Sequence, residues 1–361
     1  MEDIIKVLDA LKNRVPWHVM RKILISNNLP TGQGWSQSID KILSHFENDT
    51  DKLPEATVLF KTFKDLVLTG EKSLRLYEID PHKIDNAISI CKQCTITKSI
   101  FSIKYPYPVT KEELLDTDDI PHLVEIIDTE HGVILVFCTK RFFTEKVPLK
   151  PKDLGISSDR FTGFDEIIGV RHTTDQMYDV VVFDKRSNYV EIRIDSTHSM
   201  TTDELEVAFK VIRNEVNHIL NNSSPENATE LEKPVNLFRL VDSFYSSKEG
   251  RICELAFETD TASIKHEKMR RKSLDLREEK YHKAGSAAVD HITPYRLGIC
   301  WSLDMSNNIK VHPELFLPGN VRMLNNPKIQ LDGASIRNCS SSQDYEYVIS
   351  RIKTHLNQNG K

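Results

Sequence analysis

Near residue 95 the spacing of the apolar side chains changes period, and that change limits the class of fold open to this chain. Before it, Ile4, Leu8, Leu11 and Val15 recur at helical spacing, and Ile39, Ile42, Leu43 and Phe46 do so again. A third helix is marked by Asp51 as its cap, Pro54 in its first turn, the stripe Leu59, Phe63, Leu66 and Val67, and Gly70 at its end. After residue 95 the period falls toward two. Residues 99–104, 123–128 and 133–138 read as strands, with a hairpin turn at residues 129–132. The expected class is α+β: a small N-terminal helical bundle followed by two mixed sheet-and-helix units.

The rest of the chain fills in those units. Residues 150–162, with Pro151, Gly155, Ser157 and Ser158, read as a connecting loop, and residues 178–184 and 189–195 as a second hairpin around residues 185–188. Thr201 or Thr202 can cap a helix whose stripe Leu205, Phe209, Ile212, Val216 and Ile219 should cover the sheet. Residues 221–227 are polar and rich in turn formers, which sets a boundary there. Beyond it come a short helix at 235–245, strands at 252–258 and 296–303, and a final helix at 345–356. The expected domains are 1–80, 95–222 and 232–361.

Charge narrows the function. With 48 Lys and Arg against 53 Asp and Glu the net charge is −5, so binding to a phosphate backbone has to come from a local basic face. The six cysteines are scattered through a chain too large to need staples and no signal peptide opens it, so a reducing compartment, cytoplasmic or nuclear, is expected rather than secretion. The longest apolar run, residues 133–138, is far short of the roughly 20 residues that span a bilayer, and no membrane partner is expected.

Residues 17–46 carry two short amphipathic helices around Leu29-Pro30-Thr31-Gly32, where proline and glycine force the chain out of helix. With Ile39, Lys41, Ile42 and Leu43 after it, this stretch resembles the SAP family of helix–extended turn–helix DNA-binding modules. The resemblance implies that amides at the start of the second helix and nearby side chains approach phosphate, the candidates here being Arg21, Lys22, Thr31, Gln33, Ser36 and Lys41. Trp35-Ser36 stands where that family usually has a lysine or arginine. A plain helical bundle with an accidental Leu-Pro-Thr turn accounts for the same letters, and the domain 1–80 is expected to be SAP-like or death-fold-like. More broadly, a helical domain opening with Ile4-Ile5 and Arg14-Val15-Pro16 before a sheet domain is similar to centromere protein N. That likeness implies a non-enzymatic chain holding DNA in the groove between the two domains, with Arg14, Arg21 and Lys22 taking part.

Residues 264–283 hold eight Lys and Arg against four Asp and Glu, reversing the sign of the whole chain. Lys265, Lys268, Arg270, Arg271 and Lys272 could line a backbone-binding face, with Tyr281 free to stack on a base, although a solvated helix or mobile loop shows the same mixture. For catalysis the best candidates are Asp179 and Glu191, carboxylates on paired strands that in PD-(D/E)xK nucleases hold Mg²⁺. The lysine of that pattern is Arg193 here, and an exposed strand face of alternating charge explains the same letters. Cys91-Lys92-Gln93-Cys94 has half the spacing of a zinc site, with no second pair to complete it. No Gly-rich phosphate loop, nucleophile elbow or metal-binding helix is present, so neither a cofactor nor a catalytic residue is assigned. The expected function is a DNA-binding subunit of a larger assembly, chromosome-associated or in antiviral defence, with a protein partner or a second copy of itself. A Mg²⁺-dependent nuclease and a pure protein-interaction subunit are the alternatives.

Overall fold

The computed structural model describes residues 2–48, 54–150, 163–221, 229–271, 273–326 and 328–358. Helices α1 (Glu2–Arg14), α2 (Trp17–Ser26), α3 (Trp35–Asn48) and α4 (Thr57–Thr69) form the bundle. Strand β1 (Lys72–Glu78) follows directly, then the short helices α5 (Ile84–Lys92), α6 (Ile100–Lys104) and α7 (Lys111–Leu115). Strands β2 (His122–Thr129), β3 (Gly132–Leu149), β4 (Ile167–Asp184) and β5 (Tyr189–Asp195) form a meander that ends in α8 (Thr202–Asn221). The remainder runs α9 (Arg239–Ser246), β6 (Arg251–Thr259), β7 (Ile264–Lys268), α10 (Lys280–Ala287), β8 (Ile292–Cys300), β9 (Leu303–Asp304), β10 (Lys310–Val311), β11 (Glu314–Leu317), α11 (Arg322–Asn325), β12 (Ala334–Arg337) and α12 (Ser342–Gln358).

Ten strands make one sheet in the order β2-β3-β4-β5-β1-β12-β11-β8-β6-β7, every pair antiparallel. The two expected sheet units therefore meet in a single sheet, and they meet at β1, which lies inside the stretch expected to be purely helical. It pairs with β5 on one side and β12 on the other. Residues 99–104, expected as a strand, are instead helix α6. Ser99 and Ser102 form a reciprocal capping box that satisfies the helix-start amides, a local choice that five residues of alternation cannot outweigh. The cap expected at Asp51, the loop at 151–162 and the linker at 222–227 lie outside the described residues.

Alternation along the strands decides what each face carries. On β3, Val133, Leu135 and Phe137 pack with α5 and α8, whereas Val136 and Cys138 join the core of the helical bundle together with Val124 and Tyr178. Leu74 and Leu76 of β1 share a third cluster with Leu315, Ile336 and the inner stripe Tyr345, Val348, Ile349 and Ile352 of α12. The bundle and α12 thus sit side by side on one face, and α5 and α8 cover the other. Gly132 is required at the β2–β3 turn, since a Cβ there would stand 1.8 Å from the Phe183 carbonyl oxygen.

Candidate nucleic-acid interface

The junction between bundle and sheet is built from buried charge. The Arg14 guanidinium at the end of α1 pairs with Asp195 at the end of β5, lies 4.8 Å from the Tyr178 ring centroid and donates to the Gln176 carbonyl at 3.4 Å. Lys72 stands 3.8 Å from the same carboxylate and donates to the Tyr178 carbonyl at 2.6 Å. Burial alone would push the Asp195 carboxyl up, but Arg14, Lys72 and the Tyr178 amide hold it well below the usual carboxylate range. Burial pushes the Lys72 ammonium down to about 8, against the pull of Asp195. Arg14, expected to meet phosphate, is therefore committed to Asp195. Its charge is answered inside the protein.

The same burial accounts for the nuclease candidates. Asp179 is fully buried, accepts from Arg141 and takes the Asp195 amide at 3.0 Å. Glu191 is held by Arg193 at 2.6 Å and by Lys353 of α12 at 2.7 Å. Both carboxylates have their own cations and face helices, so the strand is not the exposed face its alternating letters suggested. No group of three or more His, Cys, Asp or Glu among the described residues could hold a metal ion. Cys91 is buried at the end of α5, where desolvation pushes its thiol up to about 12, and the Cys94 thiol donates to the Ile90 carbonyl.

Helices α2 and α3 flank the turn at 27–34 as the sequence requires. Inside the turn the polar groups are mutually satisfied: the Gly32 amide donates to Ser38 Oγ at 2.7 Å, the Gln33 amide to Gln37 Oε1 at 3.1 Å, and Lys41 Nζ to the Thr31 carbonyl at 3.0 Å. Thr31, Gln33 and Lys41 thus brace the turn. Ser36, Arg21 and the outer end of Lys41 face solvent. Trp35 packs edge-on against Trp17 with ring centroids 5.7 Å apart and donates to the Val15 carbonyl at 3.2 Å. That explains the absence of a basic residue there: the place is taken by a clamp between α1, α2 and α3. Trp35→Ala is expected to cost about 2 kcal/mol in urea unfolding, from lost ring burial and an orphaned carbonyl; a change below about 0.5 kcal/mol would assign Trp35 to the solvated surface.

The basic segment is not one helix. It comprises the edge strand β7, a turn and the start of α10, with Lys265, Arg270, Arg271 and Tyr281 exposed and Lys268 neutralised by Glu254 at 2.8 Å. Lys272 lies outside the described residues. The placement of the end of β7 follows from register. Asp195 pairs with Lys72, Lys72 with Ile336, Ile336 with Leu315, Leu315 with Ile299 and Ile299 with Ile252, a row that marks one end of the sheet. Strand β7 runs toward that end, where the Met269 amide donates to the Cys253 carbonyl, so Arg270 and Arg271 emerge beside Arg251. Helix α2 lies across the same end, tied by His18 Nε2 to Asn338 Oδ1 at 2.9 Å and by Asn307 Nδ2 to the Ser26 carbonyl at 3.1 Å. The two basic groups read separately from the sequence, Arg21 with Lys22 and Arg270 with Arg271, therefore stand along one edge. From β5 to β7 that edge crosses six strand spacings, about 29 Å.

Two hollows flank the junction. One of about 760 Å³ lies between α1, residues 103–111 and β4 and mixes Lys6, Lys12 and Lys111 with Asp3, Asp9 and Asp175. The other, about 310 Å³, is lined by His18, Val19, Lys22, Val311, His312 and Asn338. Lys22 lines the second hollow and Arg21 neither, whereas Arg14 lines the first. His18, Lys310, His312 and Asn338 were missed from the sequence, since His18 lies about 300 residues from the other three and no local pattern joins them. Neither a protein-family model nor a curated protein matches this chain. No helix among the described residues is long and apolar enough to cross a membrane.

Proposed function

We propose that this chain is a non-enzymatic DNA-binding subunit that holds the phosphate backbone along the edge of its sheet that runs from α2 to the end of β7. The observation that carries the reading is the placement of Arg21 and Lys22 on α2 and of Arg270 and Arg271 just past β7 along one edge of the sheet, on a protein whose net charge is −5. An acidic chain gains no general attraction for DNA, so cations gathered on one edge are what allow contact. From β12, beside which α2 is tied, to β7 the edge crosses four strand spacings, about 19 Å, or little more than half a turn of B-form duplex, whose repeat is about 34 Å. The contacts are to backbone and imply little sequence preference.

Fluorescence anisotropy with a short duplex between 50 and 200 mM salt tests this. Four phosphate contacts predict a slope of log K against log salt of about −4. The pair Arg21→Gln and Lys22→Gln should reduce its magnitude by about two, and the pair Arg270→Gln and Arg271→Gln by a similar amount. Slopes unchanged in both pairs, or no binding at 50 mM salt, would sink the reading.

A further inference from the structure

The smaller hollow brings one ammonium and two imidazoles from separate elements to one place. Lys22, half-buried on α2, has no hydrogen-bond or ion-pair partner among the described residues. Facing it from the segment between β10 and β11 is His312, whose Nδ1 lies 3.3 Å from both Arg251 Nη2 and the Trp301 carbonyl oxygen. His18 completes the rim, donating through Nε2 to Asn338. Two carboxylates stand behind Asn338, Glu314 taking its side-chain amide at 3.3 Å and Glu71 its backbone amide at 2.9 Å, and Asp304 lies 3.8 Å from Lys310.

We infer that this hollow is a phosphate-binding site, in which Lys22, His18 and His312 surround a single phosphate group. A tetrahedral oxyanion offers acceptors in several directions at once, which suits one ammonium and two imidazoles arriving from separate elements. A volume of about 310 Å³ is some ten times the share of one water, so the group can enter with what is attached to it. Burial, with Lys22, Arg251 and Lys310 close by, pushes the His312 imidazole below its ordinary value, and burial lowers Lys22 as well. An anion between them relieves both. The phosphate can be a diester of a DNA backbone or a free phosphate or monoester. The geometry of the hollow carries the inference without the DNA reading, although the hollow lies on the same edge.

The test is a pair of titrations of the full chain, labelled in its histidine rings, at constant pH and ionic strength. One adds inorganic phosphate, the other a short DNA duplex, and the exposed His82 serves as reference. The ring signals of His18 and His312, assigned from His18→Gln and His312→Gln, are expected to move while His82 does not, and Lys22→Gln should weaken the response about tenfold. Movement with both ligands, or with the duplex alone, supports the site and gives it a backbone phosphate. Movement with inorganic phosphate alone supports the site with a free phosphate or monoester as its ligand. A duplex that binds without moving either signal, with inorganic phosphate also silent, overturns the site and leaves the backbone reading standing. Should nothing bind at all, both fail. Since Lys22 and His312 are only half-buried, thermal melts of the variants should stay within a few degrees of the parent.

Discussion

Asp195→Asn is expected to destabilise the protein by about 3–5 kcal/mol, the cost of leaving buried cations without their counter-charge. Arg14, Lys72, the Tyr178 amide and Thr197 all converge on this one carboxylate, and an amide side chain can neither balance two cations nor accept in as many directions. Because Arg14 belongs to the helical bundle and Asp195 to the sheet, the loss should appear as loosened docking as well as a lower urea midpoint. Amide exchange at the α1–α2 corner should quicken more than exchange in α9. A change under 1 kcal/mol would mean that the apolar contacts of Tyr178 and Val136 hold the bundle unaided.

Lys72 yields a pH dependence. Its folded value near 8 lies below that of an unfolded lysine, so between about pH 8 and 10 the unfolded chain binds a proton that the folded chain releases. Stability from this residue therefore rises with pH across that window, by roughly 3 kcal/mol in all. Buried cysteines and tyrosines act the other way at alkaline pH, since the unfolded chain ionises them first. The informative quantity is the difference between the parent and Lys72→Met, in which those contributions cancel. Urea unfolding at pH 7.5 and 10 should show the parent gaining on the variant; parallel behaviour would show that Lys72 keeps an ordinary affinity for its proton.

The α+β class was legible because periodic apolar stripes dominate long elements: α4, α8, α12 and the β4–β5 hairpin all lie close to where the pattern puts them. Short elements were decided by contacts that local pattern does not contain. Strand β1 has only Leu74 and Leu76 to announce it, directly after a helix end at Gly70, and it is fixed by partners more than a hundred residues away. Glu191, Arg193 and Asp195 alternate with Val190, Ile192 and Ile194 as an exposed strand would, yet α12 and the bundle bury the charged side and each ion finds its pair. The site was half legible. The resemblance to SAP modules named Arg21 and Lys22 as candidates and local charge named Arg270 and Arg271, but their common edge depends on the direction of β7 and the lie of α2. The hollow at His18 and His312 depends on chain ends that meet only after folding.

The central seat of β1 has a consequence for how the protein comes into being. Lys72 joins the sheet beside Ile336, so a nascent chain that has made its helical bundle and first meander still carries an open strand edge through most of translation. Closure waits until the last strand has left the ribosome. A fragment ending before β12 would expose that edge permanently, and the two halves of the molecule cannot be inherited, truncated or expressed as separate folding units without giving each a substitute neighbour.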